Sequence, residues 1–225
     1  MTLNIVAVQV GNYCERGAEY VAKLFDGIDR HMPDVPYRFS CLTDDPSTLP
    51  AGVVPLAVPT GITGWWNKCV LFQPGMFKPG ERVLYFDLDT IPVGDMTDIA
   101  SYAGRFAIMR DPYHPEHMCS SCMAWEAGTV DHIWTRWDQA GRPSFHPGGD
   151  QTWVEAMQPK ADYWQDMFPG QVVSFKRDCW LQGRIPDNAR IVVFHGKPRP
   201  HQCVAPYIKE LWNNPPSNAA SLGDD

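Results

Sequence analysis

Short apolar runs separated by polar turns dominate the first half of the chain. Four such runs predict buried strands, at residues 4–10, 37–42, 53–58 and 82–86. Between them, apolar side chains recur at helical spacing over residues 18–28, and a shorter helix is predicted at residues 65–72. Strands that alternate with helices in this way predict an α/β fold with a mixed, mainly parallel sheet.

The second half of the chain has a less regular pattern. Apolar runs predict strands at residues 105–109, 122–125 and 191–194. Helical faces predict helices at residues 130–137, 150–157 and 206–212. Residues 213–225 are polar and rich in Pro, Ser and Ala, which predicts disorder. We therefore expect one domain over residues 1–212 and a disordered tail over residues 213–225.

Composition and charge narrow the classes of protein to which this chain can belong. The chain has 225 residues, 44% of them hydrophobic, which suits one globular domain. The formal net charge is −7 and no Lys/Arg stripe is present, which argues against non-specific nucleic-acid binding. No apolar run approaches the roughly 20 residues that span a bilayer. Seven scattered cysteines and no visible secretory signal favour a cytoplasmic protein with reduced thiols.

The most informative stretch is Phe86-Asp87-Leu88-Asp89-Thr90, at the end of a predicted strand. Ligands of parallel sheets bind at the carboxyl ends of strands. If the strand continued, Asp87 and Asp89 would point to the same face, where their charges repel unless a cation or a shared proton relieves them. A divalent cation with open positions for diphosphate oxygens satisfies such a pair. The alternative is that one Asp caps a turn while the other is solvated.

The same residues also resemble the first motif of haloacid-dehalogenase-type phosphatases. In that class Asp87 would be the nucleophile and Asp89 the acid/base. Those enzymes carry the motif on their first strand, whereas a complete strand–helix–strand unit precedes it here. Their second acidic motif lies on a later strand, but Gly94-Asp95 follows closely. Position therefore disfavours this alternative.

A second polar cluster, Phe194-His195-Gly196-Lys197-Pro198, follows the last predicted strand. A single His is more often structural than a ligand. Gly196, however, lets the backbone approach a ligand closely, and Lys197 could meet phosphate oxygens. A set of Asp87, Asp89 and His195 suits Mn²⁺ or Mg²⁺, and the imidazole favours Mn²⁺.

Taken in chain order, these motifs resemble those of the glycogenin-like, retaining glycosyltransferases of the GT-A fold, a family that includes bacterial galactosyltransferases of lipopolysaccharide. The resemblance spans roughly residues 4 to 200. The matching stretches are the strand that ends at Val10-Gly11-Asn12-Tyr13, then Trp65-Trp66-Asn67-Lys68, Leu84-Tyr85-Phe86-Asp87-Leu88-Asp89-Thr90, Gly148-Gly149-Asp150-Gln151 and His195-Gly196-Lys197-Pro198. Where that family shows Asn-Ser/Ala-Gly, this chain has Cys119-Ser120-Ser121-Cys122.

The resemblance implies a single GT-A, Rossmann-like domain that binds a nucleotide-sugar. It implies transfer of a sugar, with UDP as the expected nucleotide and retention at the anomeric carbon, to a hydroxyl of a glycan, lipid-linked sugar, protein or modified nucleobase. It assigns metal binding to Asp87, Asp89 and His195, and catalysis to Asp150 and Gln151. The expected donor contacts are Val10, Gly11, Asn12, Tyr13, Lys68, Asp87, Ser121, Gly196 and Lys197.

Two other interpretations stay open. His114, His117, Cys119 and Cys122 have zinc-ligand chemistry. They fall within nine positions, however, whereas structural zinc sites usually join two ligand pairs across about 12 or more residues, so loop and core are favoured. The other interpretation is a non-catalytic module that binds sugar nucleotides or glycans, against which the intact set of polar motif residues argues.

Overall fold

A computed structural model describes residues 3–12, 16–144 and 148–213. The predicted donor contact Tyr13 lies outside the described residues. So does the predicted disordered tail apart from its first residue, Asn213.

The described residues form ten strands and six α-helices. The strands are β1 (Leu3–Gln9), β2 (Tyr37–Thr43), β3 (Val54–Ala57), β4 (Arg82–Phe86), β5 (Thr90–Pro92), β6 (Phe106–Arg110), β7 (Met118–Glu126), β8 (Asp162–Tyr163), β9 (Val172–Ser174) and β10 (Ile191–Val193). The α-helices are α1 (Gly17–His31), α2 (Thr97–Ala100), α3 (His132–Gln139), α4 (Gly149–Met157), α5 (Trp164–Met167) and α6 (Pro206–Asn213). Shorter 3-10 helices cover Pro46–Thr48, Gly64–Phe72 and Pro200–Gln202, and a π-helical turn covers Phe175–Trp180.

Seven strands form the central sheet, in the order β3-β2-β1-β4-β7-β6-β8. Four of the six neighbouring pairs are parallel; the other two are antiparallel because β7 runs against both β4 and β6. This confirms the predicted α/β fold with a mixed, mainly parallel sheet. A second sheet has the order β5-β10-β9.

The alternation of side chains along β4 divides the core into two layers. Leu84 and Phe86 belong to a buried cluster that includes α1 and the second sheet. Val83 and Tyr85 belong to another, which includes the 3-10 helix Gly64–Phe72 and α3. Tyr85 therefore points into the layer that carries this 3-10 helix.

The parallel strands bring three polar segments to one edge of the sheet. Strands β1, β2 and β4 run in the same direction, so Gly11, Asp44 and Asp87 all follow carboxyl ends at the same edge. Ligands of open α/β sheets bind at such an edge.

The described residues contain neither a membrane-spanning helix nor a disulfide bond. Among the described residues, no helix combines the length and apolarity that crossing a membrane requires. The six described cysteines are all buried and free, and Cys14 lies outside the described residues. Burial raises the pKa of the Cys41 thiol to about 12, so that it stays protonated at neutral pH.

Candidate active site at the carboxyl edge of the sheet

The acidic pair lies in a tight turn between the two sheets. Strand β4 ends at Phe86, the Thr90 amide donates to the Asp87 carbonyl at 3.1 Å, and β5 begins at Thr90. The strand does not continue through Asp89, because the chain leaves the central sheet at this turn. The turn nevertheless keeps the two carboxyl groups near enough to affect each other's ionisation.

Lys68 links the acidic turn to Asp150. The Lys68 ammonium lies 2.9 Å from Asp87 Oδ1 and 3.3 Å from Asp150 Oδ2. Burial works to lower the pKa of Lys68, but the carboxylates of Asp150 and Asp87 outweigh it and raise that pKa. The buried ammonium is therefore charged at neutral pH.

Ser120 and Tyr85 complete this network. Lys68 Nζ donates to Ser120 Oγ at 3.1 Å, and Ser120 Oγ donates to Asp150 Oδ2 at 2.7 Å. On the other side, the Tyr85 hydroxyl donates to Asp87 Oδ1 at 2.5 Å. We call this set (Tyr85, Asp87, Lys68, Ser120 and Asp150) the Lys68 network. It fixes Asp87 and Asp150 on either side of one cation.

The two aspartates of the turn titrate differently. Burial opposes ionisation of Asp87, but the Lys68 charge together with hydrogen bonds from Tyr85, Lys68 and Ser121 outweighs burial and lowers the pKa of Asp87. Burial and the Asp87 charge raise the pKa of Asp89 to about 7, although the Arg199 guanidinium acts in the opposite direction. Arg199 is hydrogen-bonded to Asp89. The pair thus ionises fully only near neutral pH, as repelling carboxylates do.

His195 follows β10, which pairs with β5, and the Phe194 amide donates to the Asp89 carbonyl at 3.1 Å. The His195 side chain contacts Ser174 and Tyr113. Its Nε2 lies 2.6 Å from Ser174 Oγ, and its ring packs edge-on against Tyr113 at 5.4 Å. Burial and the nearby Lys176 charge lower the pKa of His195, so it is neutral at pH 7.

The acidic turn has ligand chemistry that suits a divalent cation. Asp87, whose pKa is lowered, and Asp89, whose pKa is raised by burial and by the Asp87 charge, have the hard oxygen ligands that Mn²⁺ and Mg²⁺ favour. Within residues 3–12, 16–144 and 148–213, no group of three or more His, Cys, Asp or Glu side chains is placed to hold a metal ion. The chemistry of the two carboxyl groups suits such an ion, and metal binding by Asp87, Asp89 and His195 stays a prediction.

The predicted nucleotide segment lines a cleft of about 600 Å³. Gly11 has φ +70°, and its amide donates to the two Asp44 carboxylate oxygens at 3.1 and 2.9 Å. Asn12 is exposed in this cleft, whereas Val10 is half-buried. The cleft lies at the same edge of the sheet as Asp87.

The remaining predicted site residues are Ser121, Gln151, Gly196 and Lys197. The Ser121 carbonyl accepts from the Asp87 amide at 2.8 Å, and the Ser121 hydroxyl helps to lower the pKa of Asp87. Gln151 Nε2 lies 3.5 Å from Asp111 Oδ2. Lys197 and Gly196 are exposed, and Gly196 has φ +70°.

The candidate zinc ligands have other partners. His117 Nδ1 lies 2.9 Å from Glu155 Oε1, and Cys119 Sγ donates to Ser121 Oγ at 3.4 Å. Cys122 is fully buried in β7, where burial raises its pKa well above the usual value. These contacts agree with the interpretation as loop and core.

Sequence reasoning missed the roles of Tyr85, Arg199 and Ser174. Tyr85 precedes Asp87 by two residues, so a strand alternation that ends at Asp87 could have indicated their contact. The pairs Arg199–Asp89 and Ser174–His195 join positions 110 and 21 residues apart, and no local pattern indicates them.

Comparison with known proteins gives no match by sequence. No protein-family model matches the chain, and no curated protein matches it either.

Solved structures do match, over almost the whole chain. The galactosyltransferase LgtC, in complex with donor and acceptor sugar analogs, is similar at a TM-score of 0.65 and 12% identity, over 96% of this chain and 99% of LgtC. The bifunctional glycosyltransferase WbbM gives 0.69 and 12%, over 97% of this chain and 51% of WbbM. GlyE from Streptococcus pneumoniae TIGR4 gives 0.63 and 14%, over 100% of this chain and 61% of GlyE.

The match thus covers nearly all of the LgtC chain, but only about half of WbbM and about three fifths of GlyE. At such low identity the similarity establishes the fold and nothing finer. All three structures are glycosyltransferases, and their common fold is the one that the motif order implied. The chain therefore has the GT-A fold.

Proposed function

We propose that this protein is a glycosyltransferase that moves a sugar from a nucleoside diphosphate sugar, with UDP as the nucleotide, to an acceptor hydroxyl. The observation that carries the proposal is the buried Lys68 network, which joins Asp87 to Asp150 at the ligand-binding edge of a GT-A sheet. The solved neighbours, all glycosyltransferases, support the reaction class. The order of motifs supports the nucleotide-sugar.

The diphosphate would lie against the acidic turn. Lys68 is a permanently charged cation there, and a cation beside the leaving phosphate stabilises the charge that develops on it. Arg199 supplies a second cation beside Asp89, and the exposed Lys197 a third in the neighbouring loop. Gly11 and Asn12 would bind the nucleoside in the cleft beside β1.

Asp87 and Asp89 would hold a divalent cation, Mn²⁺ or Mg²⁺. When bound, such an ion acts as a Lewis acid on the diphosphate oxygens. Asp89 must lose its proton to serve as a ligand, and Arg199 must share or release its carboxylate. His195 would join the ligands by turning away from Ser174, which its neutral imidazole permits.

Asp150 would lie at the reacting sugar. Its carboxylate is held by Ser120 and Lys68, so it is oriented before any substrate arrives. Gln151, beside it on α4, would contact the sugar or the acceptor. We also propose retention at the anomeric carbon and a cytoplasmic location, on the family resemblance and the sequence pattern respectively.

The phosphatase alternative is not favoured. Three strands, β1, β2 and β3, precede β4 in the chain and pair in parallel in the same sheet, so Asp87 does not follow the first strand. The carboxylate of Asp87 also accepts from Tyr85 and is paired with Lys68, which lowers its reactivity as a nucleophile.

A thermal-shift screen tests the proposal. UDP-glucose, UDP-galactose and UDP-N-acetylglucosamine are added with Mn²⁺ or with EDTA, and p-nitrophenyl phosphate serves as the phosphatase probe. A ligand that binds only the folded state at a hundredfold excess over its Kd adds about 2.7 kcal/mol to the free energy of unfolding. We expect at least one UDP-sugar to raise the melting temperature in Mn²⁺ only. No shift with any of them, together with hydrolysis of the phosphate ester, would reject the proposal.

A further inference from the structure

Trp65 is an exposed tryptophan at the rim of the candidate site. Of the nine tryptophans, seven are buried, whereas the Trp65 side chain is 63% exposed and Trp180 is 48% exposed. The Trp65 indole N–H has no hydrogen-bond partner among the described residues. The ring of Trp65 is therefore available to pack against a ligand, and burying it would contribute favourable free energy.

The backbone of Trp65 is firmly anchored. The next residue, Trp66, is buried, stacks on Trp137 at 5.7 Å and donates to the Ser144 carbonyl at 3.1 Å. Asn67 Nδ2 donates to the Gly64 carbonyl at 2.9 Å. Because Trp66 fills the core position of this segment, Trp65 is directed outward on a rigid base. Lys68, three residues later, lies in the Lys68 network.

The indole of Trp65 lies against the backbone that leads into Asp150. A Cβ at Gly149 would lie 2.6 Å from Trp65 Nε1, closer than a real Cβ approaches another atom. Gly149 also has φ +71°, a conformation that suits glycine. The next residue is Asp150, whose carboxylate is buried and bound by Lys68 and Ser120. Trp65 thus borders the site on its Asp150 side.

The chemistry of an exposed indole beside a buried carboxylate matches a sugar ring. A pyranose presents a face of C–H groups that packs on an aromatic ring, while its hydroxyl groups need polar partners. In the function proposed above, the donor is held by its diphosphate at the buried acidic turn. The acceptor would then bind at the exposed rim, where Trp65 lies.

We propose, on the basis of that function, that Trp65 is the stacking platform for a pyranose ring of the acceptor, and that it directs an acceptor hydroxyl towards Asp150. The acceptor is accordingly a glycan or a lipid-linked sugar, rather than a protein side chain or a nucleobase. Trp65 is a specificity-determining residue and takes no part in proton transfer.

Fluorine NMR of fluorotryptophan-labelled protein tests this assignment. The Trp65 signal is identified by its loss in Trp65→Phe. The probes are the methyl glycosides of glucose, galactose, mannose and N-acetylglucosamine, each titrated with and without UDP and Mn²⁺. We expect at least one glycoside to shift the Trp65 signal saturably, and Trp65→Ala to weaken its affinity about tenfold while Trp65→Phe retains most of it.

Trp180→Ala is the matched control. Trp180 is also exposed, but it lies on a different surface beside Val204 and Tyr207, so its replacement should leave glycoside affinity unchanged. The proposal is overturned if no glycoside shifts the Trp65 signal, if Trp65→Ala binds glycosides as the parent does, or if UDP alone saturates the signal. Failure of UDP-sugars to bind the parent would instead reject the proposed function, and the glycoside titration without UDP still decides the role of Trp65.

Discussion

Lys68 is the residue on which the candidate site depends most. It is a buried cation between two carboxylates that lie 63 positions apart in the sequence, at Asp87 and Asp150. Burying a charge is tolerated when hydrogen-bonded partners of opposite charge surround it. Sequence reasoning placed Lys68 at the donor phosphates but gave no indication of its contact with Asp150. The structure adds a second role, in holding Asp150.

We predict that Lys68→Met destabilises the protein. The change leaves the carboxylates of Asp87 and Asp150 without their shared cation, and breaking a buried ion pair costs about 3–5 kcal/mol. Urea unfolding measures the loss. Lys160→Met, at an exposed lysine, is the control and should stay within about 0.5 kcal/mol of the parent.

The double variant Lys68→Met/Asp150→Asn tests whether the lost stability comes from carboxylates left without a cation. It removes one of the two uncompensated carboxylates, so it should recover part of the stability lost in Lys68→Met. A Lys68→Met protein as stable as Lys160→Met would contradict the role given to the Lys68 network.

The raised pKa of Asp89 predicts a pH dependence in EDTA. Folding raises this pKa from its ordinary value of 3.8 to about 7. The resulting stabilisation is fully present below about pH 4 and is lost as pH rises through about 7, because the folded state must then accept a buried charge. Asp89→Asn cannot ionise, so its stability relative to the parent should improve from pH 5 to pH 8. Urea titrations at the two pH values measure this; a constant difference would contradict the assignment.

At the scale of elements, the apolar runs of residues 4–10, 37–42 and 82–86 predicted β1, β2 and β4 to within one residue at each end. Long buried strands give a strong local signal. Strands β5, β8 and β9 and helix α2 were missed, since two to four residues are too few to show a period. Strand β7 pairs antiparallel with β4, and no local sequence pattern indicates the direction of this pairing.

Helix α4 shows how local and tertiary information combine. The sequence predicted a helix at residues 150–157, and the family resemblance implied a catalytic role for Asp150. The helix begins at Gly149, its N-cap is Gly148, and the Asp150 side chain bonds to Ser120 and Lys68 instead of capping. The predicted start of the helix is within one residue of the observed one, but the close approach of Trp65 to Gly149 came only from the tertiary structure.

We predict that the cost of Gly149→Ala depends on Trp65. Gly141 has a similar φ of +79° and open space where a Cβ would lie, so Gly141→Ala measures the backbone cost alone, about 1 kcal/mol. Gly149→Ala should cost more, because its Cβ also displaces the indole. In a Trp65→Ala background this excess, about 0.5–1 kcal/mol, should vanish. Equal cost of Gly149→Ala in both backgrounds would show that Trp65 does not lie against Gly149.

At the scale of the whole molecule, the fold gathers the site from distant segments. Lys68 comes from the 3-10 helix, Asp87 from the end of β4, Ser120 from β7 and Asp150 from α4. The net charge of −7 would repel an anionic diphosphate, and Lys68 and Arg199 are already paired with carboxylates, so the proposed divalent cation would have to offset this repulsion locally. Sequence motifs identified most of these residues one by one, whereas only the fold shows which of them touch.

Hydrolysis of the donor sugar tests most directly whether the Lys68 network is the active site of a nucleotide-sugar transferase, because water replaces the unknown acceptor. UDP release from UDP-glucose, UDP-galactose and UDP-N-acetylglucosamine is measured in Mn²⁺ for the parent and for Asp150→Asn, alongside UDP affinity. We predict that the parent hydrolyses at least one of these donors. Asp150→Asn should bind UDP as the parent does yet release it from the donor at least about a hundredfold more slowly, since the lost contact acts in the transition state. Equal hydrolysis by the two folded proteins, or no hydrolysis and no UDP binding by the parent, would contradict this assignment of the active site.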